Sequence, residues 1–421
     1  LRHWRAPFTL ERLRPALLVL FFACLSVSIT AQQIALGLLI LCFAAQCIAR
    51  RAWPRTPLDI WLALFGAALL LSTLLGPDPL NSLASYRRLW LVAAWFAVFG
   101  LVRNSAEAAR LLRVWIVAAV VVAAYGVAQH YLGLDLSRWI VGEETHLESW
   151  ADSETTRYRV KALQNMGITY GHNLLLPLLG LCGWILAPGL AAGRRLLLAG
   201  GLFTSALALL FTFTRGAWLA ALGALFCGAL ARGRRVAVAV GGVALLAGMA
   251  LLFSGGSVWR RVLSIPDLQA NAERLQIWRA NLAMLAKRPL TGFGFGNHDQ
   301  FMEPYYADHV QSTMRDHAHN SFLQIAVDAG LLGLTAWLLL CAVLLRMGWR
   351  AQRNAQAEPR YLLFGAWLAL LGFLLGGLTQ HNFGDAEVVI VWWSLAALLA
   401  RSLHPATGPS GAAGKAEAAA R

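Results

Sequence analysis

Charge is scarce in this chain. Of its 421 residues only 14% are Asp, Glu, Lys or Arg, while 58% are hydrophobic and the mean hydropathy is +0.57. A soluble domain carries roughly 25% charged residues, so the shortfall excludes an ordinary soluble enzyme and points to a polytopic membrane protein. Cysteine is scarce too. All six (Cys24, Cys42, Cys47, Cys182, Cys227, Cys341) fall inside apolar runs. None stands in a long polar segment, which excludes a disulfide framework and a cysteine metal site and leaves small packing residues. There is no HExxH, no Asp-x-Asp and no repeat of 20–50 residues, which counts against zinc hydrolases, solenoids and inverted-repeat transporters. Acidic residues are the scarcer sign, 21 against 36 basic, for a formal charge of +15. In a soluble chain that excess would suggest nucleic acid. Here the positive-inside bias and anionic headgroups explain most of it, so membrane lipids are the expected partner and nucleic acid is not.

What the chain has instead is apolar runs. A span needs roughly 17–25 such residues, and about twelve runs qualify: 15–31, 32–49, 58–76, 87–103, 111–132, 166–188, 196–214, 216–231, 235–253, 320–345, 361–379 and 386–402. The fold class is therefore all-α polytopic, with about 12 transmembrane helices. The first run follows a basic stretch as in a signal peptide, but a second run follows at once, so it reads as a first spanning helix. With the N-terminus in the cytoplasm, the inside segments hold most of the basic residues. They include Arg12, Arg14, Arg50, Arg51, Arg55, Arg103, Arg110, Arg113, Arg194, Arg195, Arg232, Arg346, Arg350, Arg353, Arg360 and Arg401. Residues 1–403 read as one membrane domain and 404–421, rich in Pro, Gly and Ala, as a disordered cytoplasmic tail.

Two outward segments, 133–165 and 254–319, exceed what a connection needs. The second carries a helical stretch from Asn271, with Leu275, Trp278, Leu282 and Leu285 on one face, that would roof the bundle. Pro289 and the run Gly292-Phe-Gly-Phe-Gly296 then break it. Those glycines lack the preceding strand and further glycine of a dinucleotide site, and read as a tight turn whose backbone approaches a ligand or another helix. The basic residues on this outer face go against the bias: Arg87, Arg88, Arg138, Arg157, Arg159, Lys161, Arg215, Arg260, Arg261, Arg274, Arg279, Lys287, Arg288 and Arg315. Pairing with outer carboxylates accounts for some of them. As a set they suit a polyanion, because guanidinium forks match phosphate oxygens. Arg215 is the sharpest, since apolar helices of about 27 Å flank it with almost no loop and hold it at the outer surface.

At the end of the second segment stands Arg315-Asp316-His317-Ala318-His319-Asn320, at the mouth of a long apolar helix. Such a cluster is costly to solvate beside lipid, which marks a water-facing active site. His317-x-His319 lacks the partners of a zinc site, so no metal and no other cofactor is expected. A histidine base fits better, its ordinary pKa lying near working pH. His298, His309, His381 and His172 are weaker candidates for that role. Near the last run, Gln380-His381-Asn382-Phe-Gly384-Asp385 adds polar groups to the same face, and Asp385 is placed to orient a base or an acceptor hydroxyl, or to pair with an arginine.

These residues carry a family resemblance. His319-Asn320, nine residues, then Gly330-Leu-Leu-Gly333 is similar to the His-Asn/Ser/Gln-x9-Gly-x-x-Gly/Thr/Tyr signature of the bacterial O-antigen ligases, in the wider O-antigen polymerase/ligase superfamily. Arg215-Gly-Ala-Trp-Leu219 resembles that family's Arg-x3-Leu motif, and the Arg274…Trp278…Pro289 run fits its general pattern. The likeness covers roughly 160–385. It implies a metal-independent, GT-C-like glycosyltransferase on the periplasmic side of the inner membrane. The donor it implies is a glycan on undecaprenyl diphosphate, and the acceptor a sugar hydroxyl of lipid A–core. On this reading His319 is the base and Arg215 and Arg274 stabilise the departing diphosphate. Arg159, Arg279, Arg315, His317, Asn320 and Asp385 are substrate-binding candidates. With no paired-carboxylate nucleophile, a single inverting displacement is expected. A glycan polymerase or a protein O-glycosylating ligase of the same superfamily shares the motif. A lipid-linked glycan flippase would need ionisable groups at the bilayer midplane, whereas here they gather at helix ends.

Overall fold

The computed structural model describes residues 8–141, 147–152, 155–233, 257–267, 269, 271–306 and 316–404. Among the described residues there are sixteen α-helical segments, two 3₁₀ turns and one two-stranded ribbon. Six helices are long and apolar enough to cross a membrane: Ile29–Arg50, Ser105–Leu132, Ala192–Phe211, Ser321–Asn354, Ala357–Gly376 and Ala386–Leu403. The protein is a multi-pass membrane protein. Shorter apolar helices occupy other expected spans, at Phe8–Cys24, Asp59–Leu75, Gly167–Trp184 and Arg215–Arg232. The expected span 235–253 and the tail beyond His404 lie outside the described residues.

Three boundaries differ from the apolar pattern. The first two runs divide at residues 25–28, not at 31–32, because Ser28 is extended and its hydroxyl caps the second helix by accepting the Ala31 N–H at 3.3 Å. The run at 87–103 opens as a 3₁₀ turn, Tyr86–Val92, and continues as Ala93–Leu101. The largest change is at 320–345. There the helix is interrupted at Gly330, whose φ of 66° and ψ of −173° are not helical.

The interruption explains the glycine-rich turn. The Val327 and Asp328 carbonyls accept from Phe293 N–H and Gly294 N–H, each at 2.9 Å, and Leu331 N–H donates to Pro289 at 2.8 Å. The turn thus takes over hydrogen bonds that the broken helix has lost. Gly292, Gly294 and Gly296 all have positive φ. A Cβ on Gly330 would fall on the Leu290 carbonyl, so the site has neither the backbone freedom nor the room for a side chain. Gly330→Ala is therefore expected to cost on the order of 1–3 kcal/mol. Thermal unfolding of the purified variant in detergent should show a clearly lowered midpoint, and an unchanged midpoint would contradict this role.

Between spans lipid supplies little hydrophobic drive, so close contact does the joining. The Gly167–Trp184 and Ala357–Gly376 helices cross backbone to backbone at Gly183 and Gly365, where a Cβ on either would overlap the other helix. An aromatic cluster fixes the outer half of the last helix: Trp337 lies 4.2 Å from Phe383 and 5.2 Å from Trp392, which stacks on Phe373 at 5.1 Å. At the opposite end of the bundle, basic residues assigned to the inside are paired. Arg14 bonds Glu107 at 2.9 Å, and Arg194 and Arg113 share Glu358 at 2.7 and 3.3 Å.

The outer segments are partly helical, as expected, but not only helical. Residues Ser149–Asp152 and Thr155–Tyr158 pair antiparallel, with Trp150 opposite Arg157. Threonine and aromatic content explains the strands. The roof helix runs Ala272–Lys287, and its buried stripe is Ile277, Ala280, Asn281 and Met284. Leu282, expected on the buried face, is 56% exposed. The face is turned because Asn281 is buried as a polar hub, donating to Ile277 O at 2.8 Å and lying 2.7 Å from His298 Nε2.

Candidate functional site

Two short segments at the outer ends of helices are stitched together. Ser321 N–H donates to Gly377 O at 2.7 Å, and its hydroxyl lies 2.8 Å from Asn382 Oδ1. Asn382 donates in turn to Phe373 O at 2.7 Å. Asn320 caps the helix, its Oδ1 accepting from Phe322 and Leu323 N–H at 2.9 and 3.0 Å, while its amide donates to Leu378 O at 3.1 Å. Asn320 is thus occupied by the backbone it holds. Trp278 of the roof donates to Ala318 O at 3.1 Å, tying the third element to the pair.

This framework holds His319 in an uncommon conformation. Its φ is +48°, a left-handed backbone that non-glycine residues rarely adopt and that gathers at functional sites. His319 Nδ1 is 3.3 Å from Gln380 Oε1. An amide oxygen only accepts, so in the neutral ring this contact favours the tautomer with its proton on Nδ1, which leaves Nε2 as the acceptor nitrogen. The Gln380 side chain is also close enough to Asp385 to favour its charged form. Gln380 therefore lies between a carboxyl group and the imidazole.

His317 is close by, its ring centroid 4.1 Å from that of His319 and 5.6 Å from His381. Its Nδ1 accepts the His319 backbone N–H at 3.1 Å. Burial above all, then the charges of His319, His298 and Arg274, pushes His317 down to about 3. Burial likewise takes His298 to about 4 and holds His381 well below its ordinary value. These three imidazoles are neutral at working pH, so they do not compete with a cationic ligand site beside them.

Asp385 is shifted the other way. Burial, then the Glu387 charge, pushes its carboxyl up to about 7 against the opposing effect of Gln380. A carboxyl whose folded pKa is raised stabilises the fold fully below its unfolded pKa of about 4 and loses that contribution as pH rises through about 7. Asp385→Asn does not titrate. The midpoint of the variant minus that of the wild type is therefore expected to grow between pH 5 and pH 9 in detergent, and a flat difference would contradict the shift.

The arginines form a second group. Arg215, Arg261, Arg274 and Arg159 are near enough for the other three to depress Arg261, after burial. Arg274 is lowered by burial and then by Arg215. Arg215, the first residue of its helix, donates to the Ser264 carbonyl and, at 3.0 Å, to Ser264 Oγ. Arg159 pairs with the exposed Glu148 at 2.9 Å and donates to Thr212 O at 2.7 Å. Arg261 donates to Phe213 O at 3.3 Å. Four guanidinium groups with a single ion pair found among them, in the described residues, make a strongly anion-favouring locus. Arg274 connects it to the histidines, because its charge is felt at His317 and at His172.

Of the sequence candidates, His319, His317, Asp385, Arg215, Arg274 and Arg159 are brought to this region. Arg279 is exposed, and five positions along the helix turn it about 140° away from Arg274. Arg315 lies outside the described residues. Arg261 and Gln380 were not singled out from sequence. Arg261 was one of many outer basic residues, and nothing in its neighbours sets it apart. Gln380 is 61 positions from the residue it orients. Among the described residues, no group of three or more His, Cys, Asp or Glu is arranged to hold a metal ion.

Residues 200–338 match the family model described as O-antigen ligase (Wzy_C). The matched stretch contains Arg215, Arg274 and His319, and such a domain belongs to glycosyltransferase-type enzymes. No curated protein matches the chain.

Proposed function

We propose, with an O-antigen ligase domain at residues 200–338 as the premise, that the protein is a periplasmic-face glycosyltransferase of the bacterial inner membrane acting in lipopolysaccharide assembly. It moves an O-antigen glycan from undecaprenyl diphosphate to a sugar hydroxyl of lipid A–core. The observation that carries this reading is the pairing of a correctly protonated imidazole with an arginine cluster. His319 presents Nε2 as acceptor because Nδ1 is turned to Gln380, and Arg274 stands between the histidines and Arg215.

In the step, the acceptor oxygen bonds to the anomeric carbon as the bond from that carbon to the diphosphate oxygen breaks. The electron pair leaves with the diphosphate, where Arg215, Arg274, Arg159 and Arg261 stabilise it. The acceptor proton passes to His319 Nε2. One displacement inverts the anomeric centre, and neither a nucleotide nor a metal is required. The twelve-span, both-ends-inside topology and a GT-C-like arrangement complete this reading.

A polymerase of the same superfamily would use the same groups on a different acceptor. Deleting the gene separates the two. Loss of a ligase leaves long polymer on the lipid carrier and none on lipid A–core, which is the expected result. Single repeat units on lipid A–core would assign the polymerase instead, and an unchanged lipopolysaccharide profile would overturn both.

A further inference from the structure

A cavity beside the histidines is separate from the arginine cluster. The cavity, about 880 Å³, is bounded by His317, His381, Asp316 and Asp385 on one wall. Its other walls come from the Asp59–Leu75 helix, the Tyr86–Leu101 segment and the first turns of the last helix. None of Arg159, Arg215, Arg261 or Arg274 lines it; Arg87 and Arg88 do, beside the carboxyl groups of Asp299, Asp316, Asp328 and Asp385. Two buried polar atoms of its wall, His381 Nδ1 and Asp385 Oδ2, have no hydrogen-bond partner in the protein. Leaving such an atom unsatisfied is costly, so a ligand with hydroxyl donors gains by entering. Aromatic rings, Phe383 and Trp393, supply apolar surface beside them. Acceptor atoms beside aromatic faces suit a sugar ring, and four carboxyl groups against two guanidinium groups favour a diphosphate less than the arginine cluster does.

We propose that this cavity is the acceptor subsite, taking the sugar that bears the attacking hydroxyl, with Asp385 Oδ2 and His381 Nδ1 accepting from its other hydroxyls. The donor diphosphate and the acceptor then approach the histidine pair from separate sites. This rests on the transferase reading above, and its test is chosen to fail separately.

Gly66 supplies the probe. It lines the cavity, and a Cβ added there meets nothing within 4 Å, so Gly66→Leu fills space without displacing the fold. Purified wild type, Gly66→Leu and Asp385→Asn are compared in detergent, with undecaprenyl-diphosphate-linked glycan as donor and core oligosaccharide as acceptor for transfer, and with undecaprenyl diphosphate alone for donor-side binding. Gly66→Leu is expected to raise the acceptor KM at least tenfold, and Asp385→Asn severalfold, while undecaprenyl diphosphate binds all three with equal affinity. Loss of undecaprenyl diphosphate binding in Gly66→Leu would assign the cavity to the donor lipid and overturn the proposal. An unchanged acceptor KM in both variants would overturn it as well. Failure of the transferase reading looks different, because the wild type itself would then bind undecaprenyl diphosphate no better than an Arg215→Ala, Arg274→Ala variant.

Discussion

His319→Ala is expected to lower kcat for glycan transfer by on the order of 10²–10⁴-fold, the usual contribution of a positioned general base. Donor binding should be nearly unchanged, because the arginines proposed to hold the diphosphate sit on other elements. The backbone at this position complicates the variant, since alanine is poorly suited to φ +48°. His319→Asn answers that difficulty. Asparagine tolerates the left-handed region and keeps a donor for Gln380, yet has no basic nitrogen. Both variants should fold, judged by monodisperse elution and a cooperative thermal transition, and both should be inactive. Near-normal kcat in either folded variant would remove His319 from the chemistry. Neighbouring His317 cannot substitute, because burial and adjacent charge hold it near 3. It is too weak a base for an acceptor proton at neutral pH.

The second large effect belongs to Arg274. It feels the charge of Arg215 and its own charge is felt at His317, so on the proposed mechanism it lies where charge develops on the leaving diphosphate. Removing one preorganised charge donor of this kind costs roughly 10²–10³-fold in kcat. Arg274→Lys should recover only part of it, because an ammonium lacks the planar fork that bonds two phosphate oxygens at once. Arg215→Ala should cost as much in rate and also loosen the end of the Ser257–Leu263 helix, because Arg215 is hydrogen-bonded to Ser264, the residue that follows it. Arg279→Ala is the internal control, being exposed on the far side of the same helix as Arg274. Steady-state kinetics of Arg274→Ala, Arg274→Lys, Arg215→Ala and Arg279→Ala, each checked for folding, separates these cases. Equal losses at Arg274 and Arg279 would mean that surface charge alone, not the cluster, matters.

Much of this site was legible in the sequence, for identifiable reasons. Apolar runs of span length are a strong signal, so the helices at Ser105–Leu132 and Ala386–Leu403 fall where the pattern places them. Polar residues at the end of such a run are costly without purpose, and that exposed His319 and Asp385. The motif spacing from His319 to Gly330 was also visible, but not its meaning in the fold. Gly330 interrupts the helix and receives the glycine-rich turn, a contact between residues some 40 positions apart that no periodicity encodes. The roof helix is legible from its periodicity but its buried face is displaced, because Asn281 is a buried polar hub that the apolar pattern does not mark. Partnerships set by tertiary contact were the least legible. Gln380 lying between His319 and Asp385, and Arg261 joining Arg159 and Arg215, emerge only when distant ends of helices meet.

The most direct measurement uses the purified wild-type protein in detergent, with undecaprenyl-diphosphate-linked glycan, lipid A–core and excess EDTA, and without any membrane gradient. Glycan should appear on lipid A–core, with one undecaprenyl diphosphate released for each glycan transferred. Absence of transfer, or transfer that returns only on adding a divalent cation, would contradict a histidine base working opposite an arginine clamp.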